Sequence, residues 1–329
     1  MFGCLRLLLA FLVALCHLHV RFYGFDEGQI AVILFYILSG YVMTALIRKY
    51  YTNFESVPSF YVDRLCRLYP QFIFWLVFTS FLIFYFGYRG FFITDPHLRY
   101  LVNSILILPL GFQNLTQFLI LPQTWSLGIE EAFYIIIPFI ILYKCQKIVF
   151  FISFSLYLIS ALTKTDYLFS TPYGVGSFSQ NLFIFLTGSI IFDSRNTITK
   201  PIMIALAASG VLIAINELTG FQIRSPCMEI CIGYIFGVFG IIFFSRMRRN
   251  KVDDLLGEYS YGVFMCHFPM IFVFEKYREY LFNPEYSNEN LVFFLMICFT
   301  MSVFSFHFME RPFLKARHHL RRFMLKVKY

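Results

Sequence analysis

The chain has 329 residues, of which 59% are hydrophobic and 14% charged, and its mean hydropathy is +0.68. A soluble domain of this length could not hide so much apolar surface. The formal net charge is +8, unevenly spread, and the alternating ten-residue segments of a membrane barrel are absent. The fold class this leaves is all-α: a polytopic helical membrane protein.

Apolar runs predict about ten membrane helices, at roughly 4–22, 30–48, 70–87, 125–143, 148–163, 179–194, 201–216, 227–245, 258–275 and 291–309. The first carries Arg6 and His17. Eleven residues make about three turns, so the two side chains share a face about 16 Å apart along the axis. Ionisable residues in a membrane helix face the bundle interior and mark reaction or transport sites. His17 can take a proton from a hydroxyl, and Arg6 suits an anion such as a phosphate. The plainer reading is a satisfied polar pair holding helices together. No charged segment with a small-residue cleavage site is visible, which predicts a first helix that is kept.

Arg64 and Arg67 follow in the stretch Phe60–Pro70. On a helix they point the same way at the cytoplasmic edge of the third span, as a clamp for phosphate. Spacing alone equally fits ordinary positive-inside charge. Segment 100–121 is apolar but holds Pro109, Gly111 and Asn114, with Pro122 just beyond. If it does not cross, both termini are cytoplasmic and 20 of the 27 Lys and Arg lie inside. If it crosses, the Arg246–Lys251 cluster and the basic tail fall outside. The segment is therefore expected to be re-entrant or interfacial, tolerated at depth only inside protein.

Trp125–Tyr134 opens the fourth span at the outer face, with Trp125, Ser126, Glu130 and Tyr134 as candidate site residues. A carboxylate entering the bilayer is costly unless paired or functional. Glu130 could orient a histidine, bind an acceptor hydroxyl or act as a base; Glu131 points elsewhere and reads as interfacial. The ninth span places His267 in mid-membrane, where alone it reads as a structural hydrogen-bonder. The eight cysteines read as small apolar core residues rather than a disulfide framework or metal site. There is no phosphate-binding loop, GxGxxG or HExxH, which speaks against an ATP-driven pump. The basic stretch 311–329 reads as a cytoplasmic tail that meets anionic lipid, with no nucleic-acid role.

These motifs resemble acyltransferase family 3, the bacterial integral-membrane O-acyltransferases. Arg6 and His17 match its first-helix pattern; Ala31–Tyr41 is similar to its second-helix signature ending in Ser-Gly; Phe60–Pro70 looks like its Arg-x-x-Arg-x-x-Pro motif. Trp125–Tyr134, then Ser260-Tyr261 with His267, and finally Glu310-Arg311-Pro312 resemble its later signatures. The second-helix motif departs from the family, which often has Gly where Ala31 stands. The resemblance implies one transmembrane domain over 1–310, in a multi-pass protein of the bacterial inner membrane.

It further implies an enzyme that moves an acyl group, most often acetyl from cytoplasmic acetyl-CoA, to a hydroxyl of O-antigen (lipopolysaccharide), capsule or exopolysaccharide, or of a lipid-linked glycan precursor. Acyl-CoA is a donor substrate in this reading, with no permanently bound cofactor and no metal. His17 and Glu130 would be catalytic, with His17 as general base or transient acyl carrier. Arg6, Arg64 and Arg67 would hold the donor, and Trp125, Ser126, Tyr134 and His267 the acceptor. A secondary transporter of a glycan or lipid-linked intermediate is the alternative; the joint arginine and histidine motifs and the lack of an internal repeat argue against it.

Overall fold

A computed structural model describes residues 2–18, 20, 25–87, 104–112, 120–163, 178–219, 227–248, 250–281 and 288–315. Parts of segment 100–121, and the tail from 316 onward, lie outside the described residues. Among the described residues there are ten α-helices and no strands. They are α1 (Gly3–His17), α2 (Glu27–Tyr50), α3 (Val57–Phe86), α4 (Thr124–Leu142), α5 (Gln146–Thr163), α6 (Phe178–Asp193), α7 (Lys200–Thr219), α8 (Cys227–Ser245), α9 (Lys251–Leu281) and α10 (Asn288–Ser305). A 3-10 turn occupies Leu108–Gly111, and a π turn, Phe306–Glu310, follows α10. Among the described residues seven helical stretches are long and apolar enough to cross a membrane; α1 is apolar but shorter. The chain is thus an all-helical, polytopic membrane protein.

Each expected span coincides with a helix, but the third starts well before its expected position. The helix α3 begins at Val57 and runs 30 residues with Pro70 inside it. Pro58 stands in its first turn, where the missing N–H costs nothing. Prolines inside apolar helices are tolerated when neighbours satisfy the freed carbonyl; Pro138 and Pro269 sit inside α4 and α9 in the same way. The early start puts Arg64 and Arg67 on the helix proper.

The bundle is built around α2, which packs on α1, α4, α6 and α8. Its run Ala31–Tyr41 is buried at all but one position. Hydrophobic on every side, α2 has no face for lipid, as befits a helix at the centre. Helix directions follow from paired residues. Gly40 meets Phe185 while Arg48 pairs with Asp193, so α2 and α6 run parallel. Tyr36 reaches Ser126 and Ser39 reaches Glu130, so α4 runs parallel to α2 as well. Phe2 meets Tyr41 edge-on while the Cys16 thiol donates to Asp26, so α1 runs against α2.

The α2–α6 crossing is backbone-tight. A Cβ at Gly40 would lie 1.8 Å from the Phe185 carbonyl oxygen, and one at Gly188 1.8 Å from that of Ile37. Only glycine permits this approach, which is the usual packing device of helices without a hydrophobic driving force between them. Thr44 then bonds Ser189 at 2.8 Å across the same seam.

Helices α1 and α9 run parallel along their whole contact. At one end the Asp253 carboxylate accepts from the Gly3 and Cys4 amides at 3.0 and 2.8 Å, capping the start of α1 from another helix. At the other end His17 lies against His267. Burial pushes the Asp253 carboxyl up, but the hydrogen bonds from these amides outweigh it and hold the group well below the usual carboxylate range.

Candidate active site

Antiparallel pairing of α1 with α2 sets Arg6 about level with Ile37, so the first-helix arginine faces the middle of α2. There it lines a cavity of about 480 Å³. The cavity also takes Ser39 from α2, Arg64 and Arg67 from α3, Ser126, Glu130 and Tyr134 from α4, and Ser260, Tyr261 and Phe264 from α9. Six of the residues singled out in the sequence are therefore neighbours in space although 128 positions separate Arg6 from Tyr134.

Glu130 is fixed by two donors. The Ser39 hydroxyl donates to its Oε1 at 2.6 Å and the Tyr134 hydroxyl to the same atom at 2.5 Å. Charge-assisted bonds of this kind hold a carboxylate in one rotamer. The sequence placed Glu130 at the outer entry of its span, but Ser126 is level with Tyr36, so α4 begins well down the length of α2. Glu130 stands deep in the bundle, on the side of Arg6.

The three arginines differ. Arg64 is buried, donates to Asp63 at 2.5 Å and lies 6.0 Å over the Tyr134 ring. Arg67 forms an ion pair with Glu310, a carboxylate with no exposure at all, which also accepts from the Gln71 amide at 2.6 Å. The Arg6 guanidinium carries no hydrogen bond or ion pair among the described residues. Arg64 and Arg67 thus have counter-ions in contact, whereas Arg6 lies in the field of Glu130 without a contact pair.

The histidines form a second locus. The His17 ring packs 5.2 Å from that of His267, with Phe268 against both. His17 is half-buried at the last turn of α1, and its Nδ1 is 2.8 Å from the Val13 carbonyl oxygen. His267 is wholly buried, and among the described residues neither ring nitrogen makes a hydrogen bond of good geometry, although the Val263 and Phe264 carbonyls of its own helix lie close. Neither histidine lines the cavity, and Glu130 is bonded to Ser39 and Tyr134 there. Arg6 in the cavity and His17 in the histidine pair stand about 16 Å apart along α1.

Trp125 is buried in the first turn of α4 and does not line the cavity; Ser126 lines it and caps back onto Gln123. Glu131 is not interfacial, as expected from sequence, but lies inward beside the Leu108 amide and the Tyr69 hydroxyl. The reason is the 3-10 turn Leu108–Gly111, which packs its backbone on Gly128 and covers that side of α4. Among the described residues no group of His, Cys, Asp and Glu could hold a metal ion. Ser39, Gln71 and Glu310 were missed as site residues; Ser39 and Glu310 lay within quoted motifs, whereas Gln71 carried no signal.

Sequence similarity places the chain among known proteins. A family model described as an acyltransferase domain matches residues 2–309. An uncharacterized protein of Aquifex aeolicus (strain VF5) is 27% identical over 184 residues, covering 54% of this chain and 80% of that protein. The O-acetyltransferase OatA of Staphylococcus aureus (strain NCTC 8325 / PS 47) is 25% identical over 346 residues, covering 90% of this chain and 54% of that protein. The chain therefore spans about half the length of that O-acetyltransferase. No solved structure matches.

Proposed function

The chain belongs to acyltransferase family 3, and from that premise we propose that it is a membrane-bound O-acetyltransferase acting on a surface glycan. It moves an acetyl group from cytoplasmic acetyl-CoA to a hydroxyl of a bacterial cell-surface polysaccharide, or of its lipid-linked precursor, across the inner membrane. The observation that carries this reading is the stacking, on one helix, of an arginine-lined cavity and a buried histidine pair.

Helix directions support the topology. With α1 and α9 parallel, and α2 parallel to α4 and α6, alternate crossing by ten helices leaves no net crossing between α3 and α4. A re-entrant 100–121 fits, since Leu108–Gly111 is packed against Gly128 inside the bundle. Both termini then face the cytoplasm, where the positive residues concentrate.

In the reaction the donor's phosphates meet Arg6 with Arg64 and Arg67 in support, and the thioester arm runs up α1. The acceptor hydroxyl reaches His17 from the outer side, beside His267. His17 takes the hydroxyl proton, the oxygen bonds to the acyl carbonyl carbon, the C–S bond breaks, and the thiolate recovers the proton from His17. Glu130, with its own donors Ser39 and Tyr134, balances Arg6 and fixes the cavity wall.

The test is proton NMR of surface polysaccharide, before and after mild alkali, from a deletion strain complemented with wild type or His17→Ala. Restoration of an alkali-labile acetyl signal by wild type alone is expected. Full restoration by His17→Ala refutes the role of His17. A polysaccharide unchanged by the deletion refutes the acceptor, and a flux assay would then examine transport.

A further inference from the structure

In the cavity Arg6, Arg64 and Glu130 supply polar lining, while Val32, Phe35 and Phe264, further along α2 and α9 toward the histidines, supply apolar lining. The Phe35 and Phe264 rings meet edge-on with centroids 6.4 Å apart. Phe264 also stands 5.9 Å from the His267 ring, one turn along α9. One aromatic ring is therefore shared between the cavity and the buried histidine pair. Its place is fixed from behind, because the Gln123 amide donates to the Phe264 and Met265 carbonyls at 3.4 and 2.9 Å.

We propose that Phe264, backed by Phe35, is the wall against which the transferred acyl group rests, and that this pair restricts the donor to short acyl chains. The inference rests on the acyl-CoA reading above and adds the residues that select among donors. A thioester whose charged end lies at Arg6 points its acyl group toward Phe264, on the way to His17. An acetyl group adds only a methyl beyond the carbonyl; a butyryl group adds two more methylenes, which in this arrangement must press on the two rings. The chemistry stays that of the proposed reaction, and only the size of the transferred group is decided here.

The experiment uses the full chain purified in detergent, and measures equilibrium binding of acetyl-CoA and butyryl-CoA. Wild type is expected to favour acetyl-CoA. Trimming the wall by Phe264→Ala opens space for two methylenes, each worth about fourfold when buried. The preference should then move toward butyryl-CoA by about fifteenfold. Phe35→Ala trims the same wall from α2 and should move it in the same direction, which keeps the test open if Phe264→Ala does not fold by thermal denaturation. Equal binding of both donors by wild type, or an unchanged preference in the folded variants, overturns the inference and leaves the donor reading intact. Failure of wild type to bind either donor overturns the donor reading and this inference with it.

Discussion

Glu310 and Arg67 are partners with unequal surroundings, so removing one or the other should have unequal cost. Glu310 has no exposure and keeps only the Gln71 amide when Arg67 is gone, whereas the Arg67 side chain is 19% exposed and lines the cavity. In Arg67→Met a carboxylate is left in a dry interior, a break that costs about 3–5 kcal/mol. In Glu310→Leu the guanidinium can turn to cavity water, so the loss is smaller. It is about 2 kcal/mol, mostly the unpaired Gln71 amide and lost ion-pair geometry. The double variant replaces a buried pair by apolar side chains and should lie within about 1–2 kcal/mol of wild type. At this length 1 kcal/mol moves Tm by about 2 °C. Thermal denaturation in detergent at one fixed scan rate should therefore rank wild type, double variant, Glu310→Leu and Arg67→Met from most to least stable. A double variant that loses the sum of the two single losses, or a Glu310→Leu less stable than Arg67→Met, would show that the pair does not act as a unit.

At the α2–α6 crossing, Gly40→Val or Gly188→Val drives a side chain into a carbonyl 1.8 Å away; membrane-inserted, detergent-stable protein should be lost, as read by fluorescence-detected size exclusion. Gly210 is a control: it sits inside α7 with nothing within 4 Å of a built Cβ, and Gly210→Ala should stabilise by about 0.5–1 kcal/mol. Removing the Ser39 hydroxyl (Ser39→Ala) takes a charge-assisted bond from Glu130 and should cut acetylation in cells about tenfold; an unchanged alkali-labile acetyl signal would count against Glu130 as part of the site. Asp253 has a depressed folded pKa, so its stabilising share is complete above the ordinary carboxylate value of about 4 and is lost as pH falls through the lower folded value. Asp253→Asn should lose about 1 kcal/mol at neutral pH and show a flatter acid limb in a pH series of denaturation scans; an acid limb as steep as wild type would exclude this carboxylate as its source.

What the sequence made legible is what a local pattern can carry. The ten apolar runs each became a helix, and the arginine–histidine spacing on α1 put both residues on a bundle-facing side. The depth of Glu130 was not legible, because it depends on where α4 starts relative to α2, and that offset is set by the turn Leu108–Gly111 packing above it. The pairing of Arg67 with Glu310 spans most of the chain. No periodicity reports such a contact, and the motif ending in Glu310 gave its position without its partner. His267 shows the opposite case: on its own helix it looked unexceptional, and only its nearness to His17 distinguishes it. Glu131 was misread because a carboxylate at a helix start usually meets water, whereas here a folded-back segment supplies an amide instead.

The parallel seam between α1 and α9 joins residues 250 positions apart. At about 5–20 residues per second of translation, α9 leaves the ribosome roughly 12–50 s after α1. During that interval the first helix is in the membrane with its amide start uncapped and its arginine and histidine without the companions they finally meet. Early helices must therefore shelter α1 provisionally, and α2, already built to face it, is the natural escort. The order of synthesis leaves both proposed chemical loci unfinished until nearly the last helix has been inserted, so truncated chains would carry the first half of the machinery and none of its assembled geometry.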